Sequence, residues 1–294
     1  MQETVLSTVV LPLALGVIML GLGLSLTVAD FTRVIKYPKA VLIGLLCQML
    51  ILPLAALLVA KFFNLGPELA VGLMLLSASP GGPTANLYSH LSNGDVALNI
   101  TLTAINSVLT LFTLPFIVGS SMAYFLGEAQ TIPMPFSKII SVFAIVLIPV
   151  SVGMLIKRFQ PQISSKMEKP VKISSAILLL LVIIATVLKD REILTKYFAQ
   201  IGFAALVFNV ISLLGGFYIP RLFNIGRKQA IAIGMEIGIH NGTLAIFIAL
   251  TVLNNSVMSV TPAIYSIIMF FTAAAFGYLV NRSKEISDVP LVSN

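Results

Sequence analysis

Residues 235–245 read MEIGIHNGTLA, and the glutamate inside that run decides how the whole chain is to be read. Glu236 stands within a segment, about 229–253, that is otherwise apolar enough to enter a bilayer. A carboxylate in hydrocarbon costs at least about 2.5–3.5 kcal/mol, so it needs a partner, water or an ion beside it. The residues that follow add a second irregularity, because His240, Asn241 and Gly242 interrupt the helical pattern. Backbone freed from helical pairing cannot face lipid, so such a segment lines a cavity or is buried in protein. The charge and the break therefore belong to one place.

Working outward, the composition is that of a polytopic membrane protein. Of 294 residues, 58% are hydrophobic and 10% charged, against about 25% charged in an ordinary soluble domain. Pro and Gly punctuation divides the apolar runs into nine expected spans, at about 4–27, 39–60, 70–90, 95–123, 137–156, 173–188, 198–219, 229–253 and 258–281. The first is expected to be retained and not cleaved as a secretory signal, since Glu3 stands where a basic flank belongs. Cys47 is the single cysteine and falls inside a span, which removes disulfides, thiolate metal centres and redox chemistry. The +7 net charge does not point to nucleic acid, because Lys and Arg are spread through short loops. With the N-terminus outside, 13 of the 18 fall in cytoplasmic loops, which also puts the tail, 282–294, in the cytoplasm.

The chain also matches itself. NLGPELAVGL from Asn64 aligns with NIGRKQAIAI from Asn224 at a shift of 160 residues, and in that register Pro80-Gly81-Gly82-Pro83 falls opposite His240-Asn241-Gly242-Thr243. The third and eighth spans, which carry these interruptions, run in opposite directions, as expected of an inverted-topology repeat in a secondary transporter. The expected repeats are 1–136 with four spans and 137–281 with five, the first lacking its leading helix. Pro80–Pro83 is more than a kink: two residues without N–H flank two glycines, whereas Pro12, Pro53, Pro115, Pro149 and Pro262 stand singly.

Of the 11 acidic residues only Glu236 is expected deep in a span. One role is a protonated carboxyl bonding a neighbouring helix; the other is a cation site in which carboxylate, amide, hydroxyl and carbonyl oxygens replace a hydration shell. Asn86 follows the first break, Asn99 and Thr103 lie one helical turn apart on the fourth span, and Gln48 adds an amide to the second. Singly, such residues more often bond helix to helix. Glu236 and His240 share a helix face, but catalytic zinc takes three protein ligands, and His90 is expected at a span end. No catalytic residue and no enzyme activity are expected.

Taken together, GLGLSLTVADF at 21–31, Gln48, SPGGPTAN at 79–86, NGDVAL at 93–98 and MEIGIHNGTLA at 235–245 resemble the bile acid:sodium symporter family over nearly the full length. The resemblance implies a core domain from spans in 39–123 and 198–281 and a panel domain from spans in 4–27 and 137–188. Two Na+ ions would lie behind the crossing of the broken helices. The first would use Asn86, Asn99, Thr103 and Glu236; the second Gln48, Glu236, the backbone at Ile237 and Ile239, and the side chain at 240. Ala85 stands where relatives often offer a hydroxyl or amide. His240 replaces a glutamine, and an imidazole nitrogen is a poor ligand for a hard cation. Met269 and Phe270 stand where some relatives have polar residues facing the cavity, which implies a more apolar substrate.

The expectation is thus a sodium-coupled symporter of an amphipathic organic anion, whether bile-acid-like, steroid-conjugate-like or another organic acid, in a bacterial plasma membrane. The substrate would meet Pro83, Thr84, Asn241 and Thr243, and a monomer would suffice. A proton-coupled carrier or antiporter using Glu236 and His240, a channel, and a receptor-like membrane protein stay open.

Overall fold

The computed structural model describes residues 9–127, 136–189 and 191–287. The expected start of the first span at residues 4–8, the segment 128–135 before the expected repeat boundary, and the tail beyond residue 287 lie outside the described residues.

The described residues are nearly all helical. Helix α1 (Leu11–Ser25) bends by 74° into α2 (Val28–Thr32) and the turn after it. A capping box makes the corner: Thr27 donates from its backbone N–H and its hydroxyl to Asp30 Oδ2, both at 2.7 Å, and Arg33 pairs with Asp30 Oδ1 at 2.5 Å. Helix α3 (Pro38–Leu46) passes through a wide π turn, Cys47–Ile51, into α4 (Leu52–Phe62). There follow α5 (Pro67–Ala78), α6 (Pro83–Leu91), α7 (Val96–Leu126), α8 (Phe136–Phe159), α9 (Pro161–Lys189) and α10 (Arg191–Leu222). The last three are α11 (Arg227–Gly238), α12 (Gly242–Phe247, prolonged by a second π turn, Ile248–Val252) and α13 (Val257–Ser287).

Among the described residues five segments are long and apolar enough to cross a bilayer, Pro38–Phe62, Val96–Leu126, Ile140–Phe159, Phe198–Leu222 and Val257–Arg282, or six with the bent α1–α2 pair. The chain is an integral membrane protein. Its exposed Leu42, Leu58, Phe112, Phe116, Ile148 and Phe203 are ordinary for surfaces solvated by acyl chains. The shorter apolar helices Pro67–Ala78 and Gly242–Val252 adjoin the two breaks. Every residue of α5 from Leu69 to Ala78 is buried, as is every residue of α11 from Ala230 to Gly238. Each helix ends at a break whose freed backbone cannot face lipid; α4, α7 and α13 surround α5, while α6, α7 and α10 surround α11.

The shift of 160 residues has a counterpart in the backbone. Helices α5 and α11 are both 12 residues long and begin at Pro67 and Arg227. Each follows an asparagine in the left-handed region, Asn64 at φ 47° and Asn224 at φ 58°. In both turns the next N–H returns to the preceding helix, Leu65 to Ala60 O at 3.0 Å and Ile225 to Pro220 O at 3.1 Å. Asparagine tolerates this conformation better than other side chains.

Helices α1, α8 and α9 pack on one another. Gly23 and Gly153 bring α1 and α8 into backbone contact, since a methyl group at either would overlap the main chain of the facing helix. Such small-residue seams replace the hydrophobic drive that lipid cannot supply.

Candidate cation and substrate site

The two breaks meet and satisfy each other. Gly82 N–H donates to Ile239 O and Asn241 N–H to Pro80 O, each at 2.9 Å, and Gly81 and His240 form an isolated antiparallel bridge. Main-chain groups released by the interruptions are thereby paired away from lipid. Pro83 opens α6 in the first-turn position that needs no N–H, and Asn241 caps α12 by accepting from Leu244 N at 3.0 Å. In a continuous helix the Asn241 N–H would go to Ile237 O, so that carbonyl loses its helical donor.

Glu236 lies at this crossing with none of its surface exposed. Thr103 Oγ1 donates to its Oε2 at 2.5 Å, Asn106 Nδ2 to its Oε1 at 3.1 Å, and the Gly81 backbone also bonds it. All three partners are neutral. Neutral donors orient a carboxylate without balancing its charge, and a buried unbalanced charge is expensive. Nearby oxygens wait unpaired: Gln48 Oε1, Asn86 Oδ1, Asn99 Oδ1 and Asn106 Oδ1 are buried without a hydrogen-bond partner. The nitrogen ends of three of these amides are engaged, Asn106 Nδ2 with Glu236, Asn99 Nδ2 with Ala232 O at 2.7 Å, and Gln48 Nε2 with Ser77 O at 3.1 Å and Ser79 O at 2.9 Å. That fixes which atom each amide presents to the interior. Unpaired buried oxygens cost about 1–3 kcal/mol each, and oxygens are what a hard cation binds.

A cavity of about 650 Å³ adjoins the crossing. Pro83, Thr84, Asn241, Thr243 and Met269 line it on one side, and Ile18 of α1 and Leu179 of α9 on the other. It is drug-sized and mostly apolar, with polar groups at the crossing.

The profile of the Sodium Bile acid symporter family matches residues 12–197. The chain belongs to this family. It is similar to the uncharacterized sodium-dependent transporter YocS of Bacillus subtilis, 31% identical over 255 residues, covering 86% of this chain and 77% of that protein. It is similar also to the human ileal sodium/bile acid cotransporter, 27% identical over 288 residues, with 96% and 81% covered. The probable chloroplastic sodium/metabolite cotransporter BASS2 of Oryza sativa subsp. japonica is 27% identical over 287 residues, with 97% and 67% covered. This symporter-family chain is a transporter and not an enzyme.

Within that family frame the expected ligands fall into two groups. Glu236, Thr103, Asn99 and Asn86 come from the first break and the facing helices, each with a buried oxygen at hand. Ala85 is fully buried with only a methyl group to offer. On the other side His240 is nearly fully buried; its Nδ1 lies 3.3 Å from Ser79 O and its Nε2 has no partner. Its ring stacks on Phe208 at 6.0 Å and 4° and lies 5.4 Å from Tyr265, so an aromatic wall flanks it. Ile239 O already accepts from Gly82. Phe270, expected to face the cavity, does not line it and stacks instead on Tyr88 at 6.2 Å.

Asn106 is the residue the sequence reading passed over. The stripe Asn99, Thr103, Asn106, Ser107 and Thr110 at three- and four-residue spacing pointed to it, but only the packing of α7 on α11 shows which member reaches the carboxylate. Asn106→Ala removes one donor and one oxygen, and is expected to weaken apparent sodium affinity about tenfold, about 1.4 kcal/mol. A sodium titration of the purified variant checks this; unchanged affinity would remove Asn106 from the site.

Proposed function

We propose that the chain is a sodium-coupled symporter of an amphipathic organic anion in a bacterial plasma membrane, crossing the bilayer nine times with its N-terminus outside. The observation that carries it is Glu236, fully buried and held by neutral donors, with buried oxygens that lack partners on Asn99 and Asn106 of the facing helix α7 and on Asn86 beyond the first break. Na+ supplies the missing charge and draws Asn86, Asn99, Thr103 and Glu236 together, which stiffens the crossing. Pro83, Thr84, Asn241 and Thr243 then meet the polar part of the substrate, and the apolar lining takes its body. Helices α1, α8 and α9 serve as the panel and the remaining long helices as the core, consistent with their separate packing. Rocking of one against the other exposes the cavity alternately to each side. In this orientation its mouth, beside Ser25, His90 and Lys157, is cytoplasmic. A tenfold sodium gradient supplies roughly 1.4 kcal/mol, enough to sustain a tenfold substrate gradient at one ion per anion.

The second ion position is the weaker one. His240 presents a nitrogen among aromatic rings, and Ile239 O already accepts from Gly82. One sodium per monovalent anion moves no net charge. The expected result in proteoliposomes is therefore uptake driven by sodium but not potassium, with a Hill coefficient near one and no substrate-induced current. His240→Gln restores an oxygen, and a coefficient nearing two with inward current is expected. Current in the parent would contradict the single ion, and potassium-driven uptake would contradict sodium coupling itself. A proton-coupled carrier would show pH-driven uptake without sodium. No hydrogen bond joins Glu236 to His240 among the described residues, so that relay has no direct path.

A further inference from the structure

Lys157 and Arg158 end α8, where orientation in the membrane alone accounts for a basic pair. Their side chains nevertheless go different ways. Arg158 is exposed, 5.5 Å over the Phe159 ring, whereas Lys157 is partly buried and lines the mouth of the cavity. Lys157 Nζ donates to Ser25 O at 2.5 Å, at the last residue of α1. An ammonium has three donors, and that carbonyl takes one. Among the described residues lining the cavity, Lys157 is the only lysine or arginine. The groups at the crossing end, Thr84, Asn86, Asn241 and Thr243, are uncharged, so the two ends of the cavity differ in kind.

We propose that Lys157 reads the substrate's negative charge at the mouth of the cavity, with the apolar body along Ile18, Ile100 and Leu179 and an uncharged polar group at the crossing. This rests on the symport function proposed above and adds where the charge is recognised. Glu168 lines the same mouth. The charge read by Lys157 is that of a carboxylate or sulfonate on a drug-sized apolar frame. A bond to Ser25 O alone would make Lys157 only a cap on the C-terminus of α1, and the two roles separate by experiment.

The test measures sodium-dependent binding of matched probes to the full-length protein in lipid nanodiscs. The pairs are cholate with its uncharged carboxamide, and 2-naphthoate with 2-naphthamide for smaller acids. The parent is expected to favour the carboxylate about tenfold, about 1.4 kcal/mol. Lys157→Gln loses that preference and leaves amide binding unchanged, while Lys157→Arg keeps it. Retained preference in Lys157→Gln overturns the assignment and leaves sodium-coupled anion transport standing. An equal loss for both members of a pair, with lowered thermal stability, shows a cap only and also overturns it. Absence of sodium-dependent binding of any probe to the parent defeats the anion symport itself.

Discussion

Replacing Glu236 with glutamine is expected to abolish sodium-coupled uptake and leave the protein folded. The two side chains have nearly the same volume, and the partners can adapt: the Thr103 hydroxyl can turn to accept, and the Asn106 amide can flip to present oxygen. What disappears is the formal charge that compensates a desolvated cation. Removing one partner of a buried charge pair costs about 2–5 kcal/mol, so sodium affinity should fall by about thirtyfold or more. Sodium titration by calorimetry and uptake into proteoliposomes both report it. Undiminished sodium dependence in this variant would mean that the buried carboxylate is structural and that the coupling ion binds elsewhere.

The second large effect is expected at a glycine. Gly81 stands at the bridge to His240, and a methyl group there would fall on the carboxyl group of Glu236. Neither side can retreat, since both carboxylate oxygens are bonded to α7. Gly81→Ala should therefore destabilise the protein by about 1–3 kcal/mol through overpacking and distort the cation site at the same time. Gly82→Ala is the control one residue away, because its added carbon would meet nothing closer than His240 O at 3.4 Å. Thermal unfolding and sodium-driven uptake should both separate the two variants, with Gly81→Ala losing most uptake and Gly82→Ala little. Shortening the acid in Gly81→Ala/Glu236→Asp should recover part of the stability, since the two positions touch and their effects do not add. Equal behaviour of the two alanine variants would show that the breaks do not pack as described.

How much of this was legible beforehand differs by residue. The first break was, because Pro80–Pro83 carries its own chemistry: proline cannot donate, and no neighbour repairs that locally. The relation between α5 and α11 was also visible, since turn asparagines and small buried residues recur at the same shift of 160. Glu236 announced itself through the cost of its surroundings. Phe270 stacks on Tyr88 and is not among the cavity's lining, because a position in a family pattern names a residue and not its direction. Lys157 was absorbed into a charge count over loops, which has no means of distinguishing a solvated lysine from one folded back over a cavity.

The amino-acid sequence alone determined that this is a membrane-embedded helical protein with two interrupted helices and one deep carboxylate. Those properties follow from local bond chemistry and from the solvation cost of single residues. Only the tertiary structure decided that the two interruptions pair with each other, that Asn106 joins Thr103 on Glu236, and that His240 stacks against Phe208. Each of these depends on which faces of separate helices meet, a choice made by packing over the whole molecule and written in no single stretch of the chain.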